Sequence, residues 1–155
     1  YITKFDHNSW LRNIKKTYKE DFYIIYYKND ICGGLGVKNY NIRLKECDWA
    51  FYVSDKFNFA GLGASIEFKS IYFLLKKYKL SRLYCYVLKT NTNVVNLHKK
   101  FFFLRVPITE KKLNIYNTTI SKNKVIKFCL DVKKWKVESK KLLKKFKIDE
   151  KKLQY

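Results

Sequence analysis

Two glycines, Gly61 and Gly63, stand behind a β-rich run, Trp49-Ala50-Phe51-Tyr52-Val53-Ser54, and a loop from Asp55 to Ala60. Apolar residues at helical spacing follow them. A helix that starts at such a turn presents unpaired N–H groups and the positive end of its dipole, and glycines let a phosphate approach the backbone. No Gly-Lys-Ser/Thr follows, which excludes a P-loop, and a third glycine is missing, which excludes the Rossmann turn. Two histidines, His7 and His98, are the only imidazoles. The four cysteines, Cys32, Cys47, Cys85 and Cys129, stand far apart in apolar runs without a C-x-x-C pair. They read as reduced, buried thiols of a cytoplasmic protein, and no metal-ligand spacing is available.

The elements that must hold these residues follow from periodicity. Thr3-Lys4-Phe5-Asp6 resembles a capping box, and Phe5, Trp10, Leu11 and Ile14 predict a first helix over roughly 6–17. Phe22–Tyr27 and a run from Ile31 to about Ile42 predict a hairpin joined by Lys28-Asn29-Asp30. Gly33, Gly34 and Gly36 in its second strand predict a bulge or a close backbone approach. Cys47–Ser54 is a third strand. Ile66, Ile71, Phe73, Leu74 and Leu75 line a helix ending near Lys79. Arg82–Leu88 reads as a short strand buried on both faces, and Asn91–Lys100 as a short helix. Strands near Phe102–Thr109 and over Lys124–Val132 follow, and Trp135, Leu142, Leu143 and Phe146 form the apolar face of a basic helix over Lys133–Phe146. The order is α-β-β-β-α-β-α-β-β with a helical tail.

With 155 residues, the chain is long enough for one domain, and 47% hydrophobic residues supply a core. No run approaches the roughly 18 apolar residues of a spanning helix, and the first residues show no leader pattern. Net charge is +21, but of 34 basic residues only Arg12, Arg43, Arg82 and Arg105 are arginine. Lysine spread over a solvated surface does not predict a specific nucleic-acid partner, which would favour arginine clusters that fork onto phosphates. The excess charge still attracts polyanions, nucleotides and nucleotide-linked substrates among them.

Two motifs at the right separation carry a resemblance. Asn58-Phe59-Ala60-Gly61-Leu62-Gly63-Ala64 resembles the Q/R-x-x-G-x-G/A turn of the GNAT acyltransferases, with Asn58 in place of Gln or Arg. Asn91, Leu97 and Phe103 match N-x-x-A-x-x-L-Y and the glycine-phenylalanine pair after it. Val94 replaces the small residue, His98 the tyrosine and Phe102 the glycine. The resemblance covers roughly residues 1–132. It implies an α/β (α+β) fold with a mixed central sheet splayed between its fourth and fifth strands and flanked by helices. Residues 133–155 are then a basic C-terminal helical extension. Ile2-Thr3-Lys4-Phe5-Asp6-His7, Asp48-Trp49-Ala50-Phe51-Tyr52 and Ile120-Ser121-Lys122-Asn123-Lys124 are most similar to the N-acetyltransferases of nucleotide-linked 4-amino sugars, of the kind that act in pseudaminic acid biosynthesis. Those enzymes begin with a strand and helix carrying an Arg-Asn pair, which has no counterpart in this sequence.

The implied activity is acetyl transfer from acetyl-CoA to the amino group of a nucleotide-linked sugar, without metal. A protein or peptide amine as acceptor and a basic, non-enzymatic nucleic-acid-binding module are the alternatives. A homodimer is compatible with the sequence. The resemblance places pantetheine along the backbone of Phe51, Tyr52 and Val53, and the pyrophosphate on N–H groups of Phe59, Ala60, Gly61, Leu62, Gly63 and Ala64, with Asn58 at the head of the same cofactor-binding turn. Asn91 and Leu97 complete the acetyl-CoA site, with Asn91 bonding the donor or the splayed backbone. His98 is the implied acid for the leaving thiolate and Asp48 the implied base, with Glu46 its alternative. His7, Lys38, Asn39 and Tyr52 are the implied acceptor residues.

Overall fold

Lys28 and Asn29 both adopt left-handed backbone angles, φ 50° and 71°. Such a two-residue turn has the twist that antiparallel strands need. It joins β1 (Glu20–Tyr27) to β2 (Asp30–Asn41), as the polar link between the two β-rich runs predicts. The computed structural model describes residues 20–57, 59–109, 113–115, 118–146 and 153–154. The expected helix over 6–17, His7 and Asn58 lie outside the described residues.

Downstream come β3 (Glu46–Val53), α1 (Leu62–Tyr78), β4 (Arg82–Leu88), α2 (Thr92–Lys100) and β5 (Phe103–Val106). A hairpin of β6 (Leu113–Ile115) and β7 (Thr118–Ile120), β8 (Val125–Leu130), α3 (Val132–Lys145) and β9 (Leu153–Gln154) complete the order. The main sheet runs β5-β8-β4-β3-β2-β1-β9. Its pairs are antiparallel except β3 with β4, which lie parallel across the connection through α1.

Alternation along the strands sends one set of side chains into the core. Ile25, Leu35, Val37, Cys47, Trp49, Leu83, Cys85, Val87, Phe128 and Leu130 are all buried on that face. α1 packs onto it through Ile66, Phe68, Ile71 and Leu74. The apolar face expected of the tail is observed: Trp135 meets Phe68 and Phe101 at ring distances of 5.2 and 6.0 Å, and Phe146 meets Phe101 at 5.2 Å.

Two expectations are corrected. β4 is buried on one face only, because Tyr84 and Tyr86 are half-exposed on the other, under Lys127. The strand expected over Phe102–Thr109 ends at Val106, next to Pro107, which supplies no N–H to a ladder. The β6–β7 hairpin and β9 were not foreseen, since strands of two or three residues leave no periodicity to read.

Both expectations for the glycine-rich strand hold. The β1–β2 register shifts between Ile25 and Tyr26, so that Cys32 is the extra residue. A side chain at Gly33 would run into the Tyr52 carbonyl, and one at Gly34 into the rings of Phe22 and Tyr52.

Candidate functional site

β3 and β4 are paired only at Glu46↔Arg82, Cys47↔Leu83 and Asp48↔Tyr84. Beyond that point they part. β3 stays bonded to β2 as far as Val53↔Gly33, and β4 to β8 as far as Leu88↔Val125. Each arm of the opening is thus held on its outer side, while its inner side offers backbone groups to an extended ligand. A splay of the central sheet is what the resemblance implies, and among the described strands the opening lies between β3 and β4. Phe51, Tyr52 and Val53 lie on one arm.

The turn after β3 leads to the start of α1. Ser54 N–H bonds Cys32 O at 2.8 Å, a 3₁₀ turn covers Asp55–Phe57, and the Phe59 ring packs on Tyr27 at 5.3 Å. Gly61 then takes φ 89°, a left-handed angle that suits glycine, and α1 begins at Leu62 without a side-chain cap or an acidic residue in its first turn. Gly63 and Ala64 lie in that first turn, where N–H groups lack intrahelical acceptors. A Cβ on Gly63 would touch Leu97 at 4.0 Å, so the start of α1 lies against α2. Leu62 and Ala64 are buried, whereas Phe59, Ala60 and Gly61 are exposed.

α2 follows β4 directly. Asn91 accepts from Val94 N–H at 3.3 Å and caps the helix. Its side-chain oxygen thus serves the helix start, next to the β4 arm of the opening. Phe102 takes φ 68° where the motif has glycine, which explains that glycine and shows the chain accepting strain there.

His98 is 3% exposed. Its Nδ1 lies 2.6 Å from Oε1 of Glu67, itself fully buried on α1, and the rings of Trp49, Phe103 and Phe128 enclose it. Burial pushes the Glu67 carboxyl up, and His98 opposes that shift. Sequence reasoning missed Glu67. The available signal was a carboxylate on the buried stripe that includes Ile71 and Leu74.

Asp48 sits on the last rung of the β3–β4 ladder, one residue from Trp49 and so on the opposite sheet face. Asn39 Nδ2 donates to it at 2.7 Å, and Lys38, its register partner, pairs with Glu20 at 3.1 Å. Asn39 also lines a depression of about 510 Å³ with Asp21, Tyr40 and Arg43, at the end of the sheet away from the opening. Glu46 is bound to Arg82 at 3.4 Å. Tyr52 shares the face of Asp48 but stands further along the arm, 42% exposed and stacked on Phe22. The structure therefore groups Asp48, Lys38 and Asn39, sets Tyr52 apart, and places His98 across the sheet from them.

The cysteines are free thiols, and burial pushes Cys47 up to about 12 and Cys85 well above its ordinary range. Among the described residues no group of three or more His, Cys, Asp or Glu is placed to hold a metal ion, and no helix is long and apolar enough to cross a membrane.

No protein-family profile and no curated protein sequence matches the chain significantly. Solved structures do. The N-acetyltransferase PseH of Campylobacter jejuni superposes with a TM-score of 0.62 at 19% identity, over 83% of this chain and 82% of that one. PseH in complex with acetyl coenzyme A gives 0.62 at 18% identity over 81% and 77%. A spermidine N-acetyltransferase SpeG variant from Vibrio cholerae gives 0.69 at 11% identity over 90% and 80%. The chain has the fold of these N-acetyltransferases, the GNAT fold that the two motifs led us to expect.

Proposed function

We propose that this protein is an acetyl-CoA-dependent N-acetyltransferase that acts by direct transfer to an amine. The opening between β3 and β4, beside an uncapped helix start, is the observation that carries the proposal. An extended pantetheine arm suits the inner edge of Phe51–Val53, and the start of α1 at Gly61–Ala64 suits a pyrophosphate. A similar fold holds acetyl coenzyme A in the PseH complex.

Transfer needs a neutral amine and a proton for the leaving sulfur. The amine nitrogen bonds to the acetyl carbon, the carbon–sulfur bond breaks, and one proton passes in net from nitrogen to sulfur. Asp48 and His98 flank the closed end of the opening from opposite sheet faces. We assign Asp48 to receive the amine proton and His98 to supply the proton for sulfur. A backbone N–H of the β3 arm stabilises charge on the carbonyl oxygen. Thiols with strongly raised pKa make poor acyl carriers, which favours one ternary complex.

For the acceptor we propose a nucleotide-linked amino sugar. A net charge of +21 attracts a diphosphate and repels a polyamine, which separates this choice from the spermidine acetyltransferases of like fold. Lys38 and Tyr52, on the face of Asp48, are the described candidates for acceptor contacts, with His7 from the N-terminal segment.

Calorimetric titration with acetyl-CoA, for wild type and Gly63→Glu, tests the donor site. Gly63 has room for a side chain, and a carboxylate in a first helical turn favours the helix itself. Two like charges about 4 Å apart at an effective dielectric of about 20 repel by roughly 4 kcal/mol. A quarter of that weakens binding by about fivefold, with Tm unchanged or raised. Unaltered affinity removes the donor site from this turn. Turnover of peptide N-termini or spermidine, with none of UDP-linked amino sugars, replaces the proposed acceptor.

A further inference from the structure

One carboxyl group has no place in a core built only for packing. Glu67 lies on α1 among Ile66, Phe68, Ile71 and Leu74, and its side chain is fully buried. A leucine there would fill the same space without desolvating a charge. Glu67 Oε1 is held by Nδ1 of His98 at 2.6 Å, whereas Oε2 is buried without a hydrogen-bond partner. A second orphan, the indole Nε1 of Trp49, lies on the residue whose ring covers His98 at 6.1 Å. Core polar groups left this way mark places where packing has yielded to another requirement.

The position of the pair says what that requirement is. Trp49 is the first β3 residue beyond the β3–β4 ladder, and Cys85 the first on β4. Glu67 holds His98, and His98 lies against the Trp49 ring, so the pair sits where the strands part. We propose that Glu67 is a positioning residue for the transfer: by holding Nδ1 of His98, it leaves Nε2 as the nitrogen that hands a proton to the leaving sulfur. The inference rests on the acetyl-transfer reading and deepens it.

A carboxylate on Nδ1–H fixes ring orientation and tautomer, and it stabilises the imidazolium that must exist just before the proton leaves. In outline, Nε2–H passes its proton to sulfur, the ring becomes neutral with Nδ1–H still on Glu67, and Nε2 recovers a proton that the amine released. The other groups packed around the ring leave Glu67 in control of its charge. β3 contributes Trp49, β5 Phe103 and β8 Phe128, all uncharged. Cys85 on β4 is held as the neutral thiol by burial. Asp48 lies across the sheet, and Lys99 and Lys100 on α2 are exposed.

The test is the pH dependence of kcat in Glu67→Gln, read beside acetyl-CoA binding and Tm. Glutamine keeps the length and an acceptor for Nδ1–H but carries no charge. We expect the Kd for acetyl-CoA to stay within about twofold and kcat to fall about 10–100-fold, as for other residues that orient a reacting group. The pH profile of kcat should change, because glutamine removes the carboxyl whose pKa burial raises. In a His98→Phe background the same change should leave kcat where His98→Phe alone puts it. A pH profile identical to that of wild type overturns the role of Glu67, even if kcat falls. Wild-type protein that binds no acetyl-CoA overturns the acetyl-transfer reading instead, and this inference with it. If Glu67→Gln does not fold, the ¹⁵N spectrum of wild-type His98 decides the matter. A neutral ring protonated at Nδ1 supports the proposal, and protonation at Nε2 overturns it.

Discussion

Three glycines in β2 should respond very differently to the addition of one methyl group. In Gly33→Ala the new Cβ falls well inside the Tyr52 carbonyl oxygen, with the Tyr52 carbon at 3.2 Å and the Val53 Cα at 3.3 Å. All three are backbone atoms, so the strands themselves must separate. Overpacking of this kind costs about 3 kcal/mol. In a chain of 155 residues, at about 3 °C per kcal/mol, Tm should fall by about 9 °C. Gly34→Ala meets the rings of Phe22 and Tyr52, the latter at 2.6 Å. Rings can rotate aside, and a cost of about 1–2 kcal/mol is expected. Gly36→Ala finds its nearest atoms at 3.9 Å, and loss of unfolded-state freedom should raise stability by about 0.5 kcal/mol. Function should follow a different order from stability. Relief at Gly33 pushes the β3 arm away from β2 and toward the opening, so Gly33→Ala should weaken acetyl-CoA binding, whereas Gly34→Ala should leave it nearly unchanged. Thermal unfolding and calorimetric titration of the three variants provide both readouts. A Gly33→Ala protein as stable as Gly36→Ala would refute the reasoning, because the strand spacing could then not be tight.

Further outcomes follow from other residues. Trp135→Ala removes a side chain 3% exposed between Phe68 and Phe101, and should cost about 3–5 kcal/mol in denaturant unfolding. Lys79→Gly replaces a left-handed lysine, φ 50°, after α1, and should raise stability by about 0.5 kcal/mol once unfolded-state entropy is subtracted. Cys47, pushed up to about 12, should carry only about one thiolate in 10⁴ at pH 8, so iodoacetamide should label it only on unfolding. Because burial raises the Glu67 pKa above its ordinary 4.5, its contribution is fully present below that pH and is lost as pH rises through the raised value. The stability of wild type relative to Glu67→Gln should therefore decline over that window, measured by urea unfolding at several pH values.

Much of this architecture was legible because local signals agreed with the fold. The Lys28-Asn29 turn, the glycines at the start of α1, the Asn91 start of α2 and the Trp135 stripe each have a local cause that tertiary structure did not override. What could not be read depends on contacts between distant segments. The sequence marks His98 by its place in a motif, but the carboxylate that holds it lies 31 residues earlier on another helix. Asn91 was legible as a motif residue, yet its hydrogen bond belongs to the helix cap. Asp48 and Lys38 face each other because of a register fixed by the β2–β3 hairpin, and alternation alone cannot set that register.

The three-rung joint between β3 and β4 has a mechanical consequence. In backbone terms the sheet is two leaves, β9–β1–β2–β3 and β4–β8–β5, hinged along Glu46–Asp48 and Arg82–Tyr84. Any molecule that bonds both leaves at once acts as an interior strand rather than an addition to an edge. Its binding energy would then appear as cooperativity: the leaves open separately without it and unfold together with it. Amide exchange of Trp49–Val53 and Cys85–Leu88 would report that change directly, as two exchange classes merging into one.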